Sequence, residues 1–428
     1  MLPRLRHHLF FFQDWINKSP VRSNLGQLKY LWQNPKSVAM WQAECIHLLQ
    51  THASKTCSFY ADYIPGNLAN WPVTNKLMMR ENPSFLSSSG TTDPLFKRKT
   101  SGSTGIPFTS YQNQAKYHHV LAENLFFAEK AGYQIGNRLI YPRIWNSPNQ
   151  KPKWKFWMQH IIPVEISTLN DSVFRQVISE SCKRPSSIYS YGSFFHRFVQ
   201  FLRENNLILP SYLSALAVGE TLCSEVQREF LLRSGSPLCA RYSNEENGIL
   251  AQQLPDSDGL YVVNDAHYFI EILDLNSDQP VPQGTLGRIV VTDLFNYAMP
   301  FIRYDTGDIG KMNYNPSLHR WVFSSIEGRK MDQLFSTYGE PVSPHTLTVL
   351  FWRFPNILQY RVIQECTHDY TVIIQTNKTE IDQQKLKSEI GQILGKNAQI
   401  KLEFIHSPLV LQGYKAKIFE NKMVIYSN

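Results

Sequence analysis

The amino-acid sequence predicts an α/β protein: a large N-terminal domain with βαβ-type sheets plus a β-barrel-like part, followed by a small α+β C-terminal domain. Three observations predict it. Strand-like apolar runs alternate with amphipathic helical runs in the middle of the chain. Helical periodicity then disappears over residues 260–310, and a strand-rich pattern with one helix returns at the end. A chain of 428 residues is long for a single core, so a division into 1–328 and 329–428 is expected.

Residues 1–90 read as helices and turns ending in the loop WPVTNKLMMRENPSF. The opening MLPRLRHHLFFFQDW carries a short apolar patch between charged groups and reads as an amphipathic helix, not a signal peptide. A polar, glycine-rich segment follows, SSSGTTDPLFKRKTSGSTGIPFTS, and then a helix with Leu121, Leu125 and Ala128 at helical spacing and a strand at NRLIYPR. The run SSIYSYG, FFHRFVQFLREN, LSALAVG, SEVQREFLLRSG, PLCARYS is strand, helix, strand, helix, strand, a βαβαβ unit with parallel pairing. YVVN, YFIEILDL, GRIVVTDL and FIRYDTGD then read as strands of a barrel or second sheet. After EGRKMDQL come strands at LQYRVIQEC and YTVIIQTN, a helix in KTEIDQQKLKSEIGQILG and a strand at AQIKLEFI.

Composition narrows the function. Hydrophobic residues make up 43% and charged residues 18%, which places the chain among globular proteins. No apolar run is long enough for a transmembrane helix. The six cysteines are scattered without a CxxC pair, which argues against a zinc site or disulfide framework and fits a reducing cytoplasm. The net charge of +8 comes from dispersed cations without a polybasic run, so it is read as a basic enzyme handling anionic substrates, not a nucleic-acid binder.

Three clusters carry candidate chemistry. Ser101, Gly102, Ser103, Thr104 and Gly105 offer hydroxyls, glycines and backbone amides that can wrap a polyphosphate, with Lys97, Arg98 and Lys99 just before them; the same composition also makes an ordinary surface loop. No GKS or GKT follows the glycines, and the chain has no GxGxxG, which excludes the two commonest nucleotide loops. Gly219 and Glu220, and the run Tyr242 to Gly248, follow predicted parallel strands, where ligands bind. A carboxylate there can hold Mg²⁺ and an aromatic can stack on a base; solvated capping loops are the alternative. In RYDTGD, Asp308 can accept hydrogen bonds from ribose hydroxyls or simply close a tight turn.

In order and spacing these clusters resemble the ANL adenylate-forming superfamily: TSGSTG its phosphate loop, YSNEENG its YGxTE segment, RYDTGD its YRTGD segment and EGRKMDQL its GRxxD hinge. WPVTNKLMMRENPSF, NYAMPFIRYDTGD and LQYRVIQ are most similar to the phenylacetate-CoA ligase and coenzyme F390 synthetase branch, with its capsule-biosynthesis members. The resemblance implies Ser101 to Gly105 on the β- and γ-phosphates, Gly219 and Glu220 at the adenine edge and Tyr242 on the adenine face. It further implies Glu246 as the catalytic magnesium ligand, Asp308 on the ribose, Arg329 near ribose and phosphate, and Lys415 as a mobile catalytic lysine. The cofactors implied are ATP and Mg²⁺, with coenzyme A as second substrate. The function implied is adenylation of a small-molecule carboxylic acid to acyl-AMP, then acyl transfer to a thiol, in a cytoplasmic enzyme that can form a homodimer.

The chain departs from the family pattern at several positions. Ile106 stands where the loop usually has lysine, Glu245 replaces Ser or Thr, Asp305 replaces an arginine, and Met331 lies near the hinge position usually taken by Asp or Lys. Lys97 or Lys99 would then replace the loop lysine, and Lys417 competes with Lys415 in GYKAK. Alternative functions are AMP transfer to a hydroxyl, acyl transfer to an amine or to a carrier-protein thiol, and a catalytically degenerate ATP-binding subunit.

Overall fold

The computed structural model describes residues 2–16, 19–80, 82–88, 95–99, 108–145, 150–167, 169–220, 222–329, 334–342, 346–347, 350–351, 353–354, 356–376, 381–406 and 419–423. The chain divides into two compact units, Met1–Thr306 with Gly310–Ser325, and Gly307–Ile309 with Ile326–Asn428.

The first unit opens with helices α1 (Leu2–Ile16), α2 (Val21–Gln33) and α3 (Val38–Thr56). A two-residue strand β1 (Thr74–Asn75) runs into the single turn α4 (Lys76–Met79), whose N-terminus Asn75 caps by accepting from the amides of Leu77 and Met78. Next, β2 (Phe96–Lys99) and β3 (Thr109–Gln112) form an antiparallel hairpin in which Lys99 pairs with Thr109. Helix α5 (Gln114–Lys130) leads to β4 (Leu139–Arg143), α6 (Lys153–Gln159), β5 (Ile161–Glu165), α7 (Asp171–Lys183), β6 (Ser187–Tyr191), α8 (Gly192–Glu204), β7 (Ser214–Val218), α9 (Ser224–Ser234) and β8 (Leu238–Asn244).

Strands β5, β4, β6, β7 and β8 are all parallel. Four successive residues of both β6 and β7 are buried, as expected of strands covered by helices on two faces. One such cover is α8, which buries Phe194, Phe195, Phe198, Val199 and Leu202. The alternation legible in the sequence is thus the alternation of the parallel sheet.

The chain continues through β9 (Gly248–Gln253), β10 (Tyr261–Val263), β11 (Tyr268–Leu273), β12 (Leu286–Asp293), β13 (Tyr304–Asn315) and β14 (Arg320–Arg329). These strands do not stand apart as a separate sheet. The antiparallel β8–β9 hairpin joins them to the parallel strands in one twelve-stranded sheet of order β11-β12-β13-β14-β10-β9-β8-β7-β6-β4-β5, with β1 off this path and parallel to β13.

In the second unit β15 (Leu334–Phe335) pairs with β16 (Pro341–Val342). A four-stranded sheet, β19-β18-β17-β20, is built from β17 (Gln359–Gln364), β18 (Asp369–Gln375), β19 (Gln399–Ile405) and β20 (Phe419–Asn421). Helix α10 (Gln383–Leu394) is capped by Asp382, whose carboxylate accepts from the Lys385 amide at 2.9 Å. Its Leu386, Ile390 and Leu394, one turn apart each, are buried in the same cluster as Val362, Val372 and Ile374.

Candidate active site

The site is organised by the turn between β8 and β9. Asn244 pairs with Gly248 across the hairpin, so residues 245–247 form its tip, pinned where the Asn247 amide donates to Asn244 Oδ1 at 2.7 Å. Glu246 lies in this tip and is 5% exposed. Its Oε1 is 3.0 Å from Lys76 Nζ and accepts a long hydrogen bond from the Tyr304 hydroxyl at 3.5 Å. Its backbone carbonyl accepts from Gln112 Nε2 at 3.3 Å.

Each partner reaches the tip by a traceable route. Strand β1 pairs with β13 in the register Thr74 to Tyr304, tightened by the Thr74 amide donating to the Arg303 carbonyl at 2.9 Å. Lys76, two residues beyond Thr74, is thereby delivered beside Tyr304 and Glu246. Buried Trp71, Tyr60 and Phe85 pack with Tyr304 in one cluster, and Arg303 holds Glu271 through a two-pronged ion pair while donating to the Trp71 carbonyl. Gln112 ends β3, so the hairpin whose two strands flank residues 100–108 is tied to the Glu246 turn.

Beneath the turn lies a buried polar network. Lys116 Nζ is 2.7 Å from Asp293 Oδ2 and donates to the Tyr268 hydroxyl at 3.0 Å, with both charged side chains fully buried. The Tyr268 hydroxyl is also 2.7 Å from the Asn247 carbonyl and within hydrogen-bonding reach of Glu123. Glu123 accepts from the Ile249 amide, from Asn264 and from His267. Burial pushes the Glu123 carboxyl up to about 7, and burial beside Lys116 pulls His267 down to about 3. Gly248 is required here: at φ +128° a Cβ would stand 2.1 Å from Glu123 Oε1 and 2.8 Å from the Tyr268 hydroxyl.

The structure also describes Gly219, Glu220, Tyr242, Asp308 and Arg329. Gly219 and Glu220 follow β7 at the carboxyl edge of the parallel strands, and Gly219 has φ +76°. The Glu220 carboxylate accepts from the Ser193 amide at 2.6 Å, so it caps the start of α8. Tyr242, in β8, packs edge-on against Phe323 at 6.0 Å. Asp308 in β13 and Arg329 at the end of β14 belong to the second unit. Ser101, Gly102, Ser103, Thr104, Gly105, Lys415 and Lys417 lie outside the described residues.

One departure from the family pattern gains a physical account. Asp305, in the place of an arginine, pairs with Arg288 at 2.7 Å. Lys97, expected with Lys99 as a replacement for the loop lysine, has its Nζ 5.8 Å from the centre of the Tyr111 ring. Sequence reasoning missed Lys76, Gln112 and the network under the turn. Lys76 lies in WPVTNKLMMRENPSF and Tyr304 in NYAMPFIRYDTGD, but nothing in their spacing marks them as neighbours of Glu246. Trp154 and Trp157 of α6 are 59% and 73% exposed. Among the described residues no cluster of metal ligands of the His, Cys, Asp and Glu type occurs, and no helix is long and apolar enough to cross a membrane.

No family model matches the chain. It is similar to phenylacetate-coenzyme A ligases of Thermus thermophilus (25% identical over 148 residues, 34% of this chain and 31% of that protein) and Aromatoleum evansii (25% over 171 residues, 40% and 38%). The one from Pseudomonas putida is 30% identical over 87 residues, 20% of each chain. The aligned stretches thus span well under half of these relatives. Among solved structures, 2-hydroxyisobutyryl-CoA ligase in the postadenylation state with 2-HIB-AMP superposes with a TM-score of 0.69 at 13% identity, covering 89% of both chains. ATP-bound MatB from Rhodopseudomonas palustris gives 0.53 at 16% identity over 74% of this chain and 65% of that one. The chain therefore shares the fold of 2-hydroxyisobutyryl-CoA ligase, and over its matched segments it is similar in sequence to phenylacetate-coenzyme A ligases.

Proposed function

We propose that the protein uses Mg-ATP to convert a carboxylic acid to its acyl-AMP with release of pyrophosphate, and then transfers the acyl group to a thiol, coenzyme A being the acceptor of choice. The observation that carries this reading is the buried Glu246, its carboxylate poised at a hairpin tip beside Lys76 and its backbone carbonyl tied through Gln112 to the hairpin whose strands flank TSGSTG. The relatives that are ligases forming acyl-CoA, and the superposed enzymes that hold acyl-AMP or ATP, support it.

A carboxylate held in place and already facing a cation suits a hard divalent ion, and Glu246 would hold Mg²⁺. Bound there, the ion supplies charge neutralisation for the phosphates. The chain's own groups do the rest. Lys76 offers a cation beside that carboxylate in a chain whose phosphate loop has Ile106 in place of lysine. The substrate carboxylate attacks the α-phosphorus in line, a P–O bond forms as the bond to pyrophosphate breaks, and Lys76 and Lys415 offset the charge on the phosphate oxygens. Asp308 and Arg329 serve the ribose side, Tyr242 the base.

The test is pyrophosphate release from ATP across aryl, aliphatic and amino acids, with and without coenzyme A, using Glu246→Gln as control. Release with one acid class, lowered about a hundredfold or more in the variant, is expected. ATP binding without release for any acid would overturn acyl activation in favour of AMP transfer to a hydroxyl or a silent binding subunit.

A further inference from the structure

Helix α1 is docked with its apolar side turned outward. Leu5, Leu9, Phe12 and Ile16 recur at intervals of four, three and four residues, which places them in one stripe, and they are 53%, 50%, 57% and 56% exposed. Trp15, beside the stripe, is 74% exposed. The opposite side anchors the helix: Phe11 packs against the cluster of Leu25 and Leu28, and buried Asp14 accepts from the Arg22 amide at 3.1 Å. A helix serving only the core would face the other way.

Cations flank the stripe on both sides. On one flank Arg4 of α1, Lys29 of α2 and Lys130 of α5 line, together with His7 and His8, a cavity of about 600 Å³, with Lys130 Nζ 4.5 Å from the centre of the Trp32 ring. The carboxylate lining it, Glu129, is neutralised by Lys29 at 2.6 Å. On the other flank the Arg6 guanidinium lies 5.5 Å from the ring centre of exposed Trp157, in the α6 sequence KWKFWMQ.

We propose that α1 and the basic cavity beside it form a docking surface for an anionic lipid membrane, the stripe lying among the acyl chains and the cavity taking a phosphate-bearing headgroup. An outward apolar stripe edged by Arg, Lys and Trp is the pattern of an interfacial helix. Charge decides between occupants. A second copy of this chain would set its own cations against themselves across a two-fold axis, whereas anionic headgroups complement them. The helix rests on the membrane and does not cross it, since 15 residues span only about 22 Å.

The experiment is co-sedimentation of the full chain with phosphatidylcholine vesicles with and without phosphatidylglycerol. Binding is expected with phosphatidylglycerol and is expected to weaken with salt. Leu9→Glu with Phe12→Glu should lower partitioning at least about tenfold, and Arg4→Glu about fivefold, with melting temperatures unchanged because these positions are exposed. A tryptophan-fluorescence titration with inorganic phosphate separates the headgroup from the free ion. Failure to bind anionic vesicles, binding indifferent to these substitutions, or a response to inorganic phosphate without vesicle binding would each overturn the proposal. Loss of a dimer on gel filtration in Leu9→Glu/Phe12→Glu, without vesicle binding, would instead assign the stripe to a second copy.

Discussion

Replacing Lys76 by methionine keeps most of the length of the side chain and removes its charge from beside Glu246. At 3.0 Å the gross attraction is about 5–6 kcal/mol at an effective dielectric of about 20. Most of that is offset by desolvation and by the 29% exposure of the lysine side chain, so the expected loss of folding stability is about 1–3 kcal/mol. The same lysine, turned toward a triphosphate, makes a charge-assisted contact whose removal costs about 1.4–2.7 kcal/mol, or about 10–100-fold in ATP affinity or turnover. Calorimetric titration of Mg-ATP, acid-dependent pyrophosphate release and thermal melting read the two effects separately. Mg-ATP should also restore part of the lost melting temperature, because a divalent ion gives Glu246 a new partner. Mg-ATP affinity and pyrophosphate release both within about twofold of the parent would refute a role for Lys76 at the phosphates and leave it a structural counter-ion to Glu246.

Gly248→Ala forces a Cβ into Glu123 and Tyr268 at a backbone angle that L-residues avoid, so a destabilisation of about 2–4 kcal/mol is expected in denaturant melts, and an unchanged midpoint would contradict the packing described. Lys415→Ala should block adenylation yet spare acyl transfer from preformed acyl-AMP, while Lys417→Ala should spare both; the reverse pattern moves the mobile-lysine role to Lys417. Burial lowers His119 to about 2 and His267 to about 3 from the ordinary 6.5. Both folded values are depressed, so their stabilisation is fully present above about pH 6.5 and is lost as the pH falls toward 3. Glu123 acts in the opposite sense, its contribution fading as pH rises from 4.5 to about 7. His119→Leu should therefore lose less stability than the parent between pH 7.5 and pH 5, and equal losses in denaturant titrations would show that His119 does not carry the acid sensitivity.

The sequence by itself determined the features that are local in the chain. Alternating runs such as SSIYSYG and FFHRFVQFLREN marked the parallel strands and their covering helices, because burial on two faces leaves a periodic trace in the residues themselves. The run Tyr242 to Gly248 marked the end of the last parallel strand, because a strand's end is written in consecutive residues. Only the tertiary structure decided which groups meet there. Lys76 lies 170 residues from Glu246 in sequence and arrives through the pairing of a two-residue strand too short to show any periodicity. Lys116, Glu123, Tyr268 and Asp293 look like surface residues at scattered positions, yet they form a buried network, since a charge tolerates burial only when partners from distant elements satisfy it. The outward stripe of α1 follows the same logic: its amphipathic spacing is legible in the sequence, but which face the core takes is settled by what Phe11 and Asp14 find to pack against.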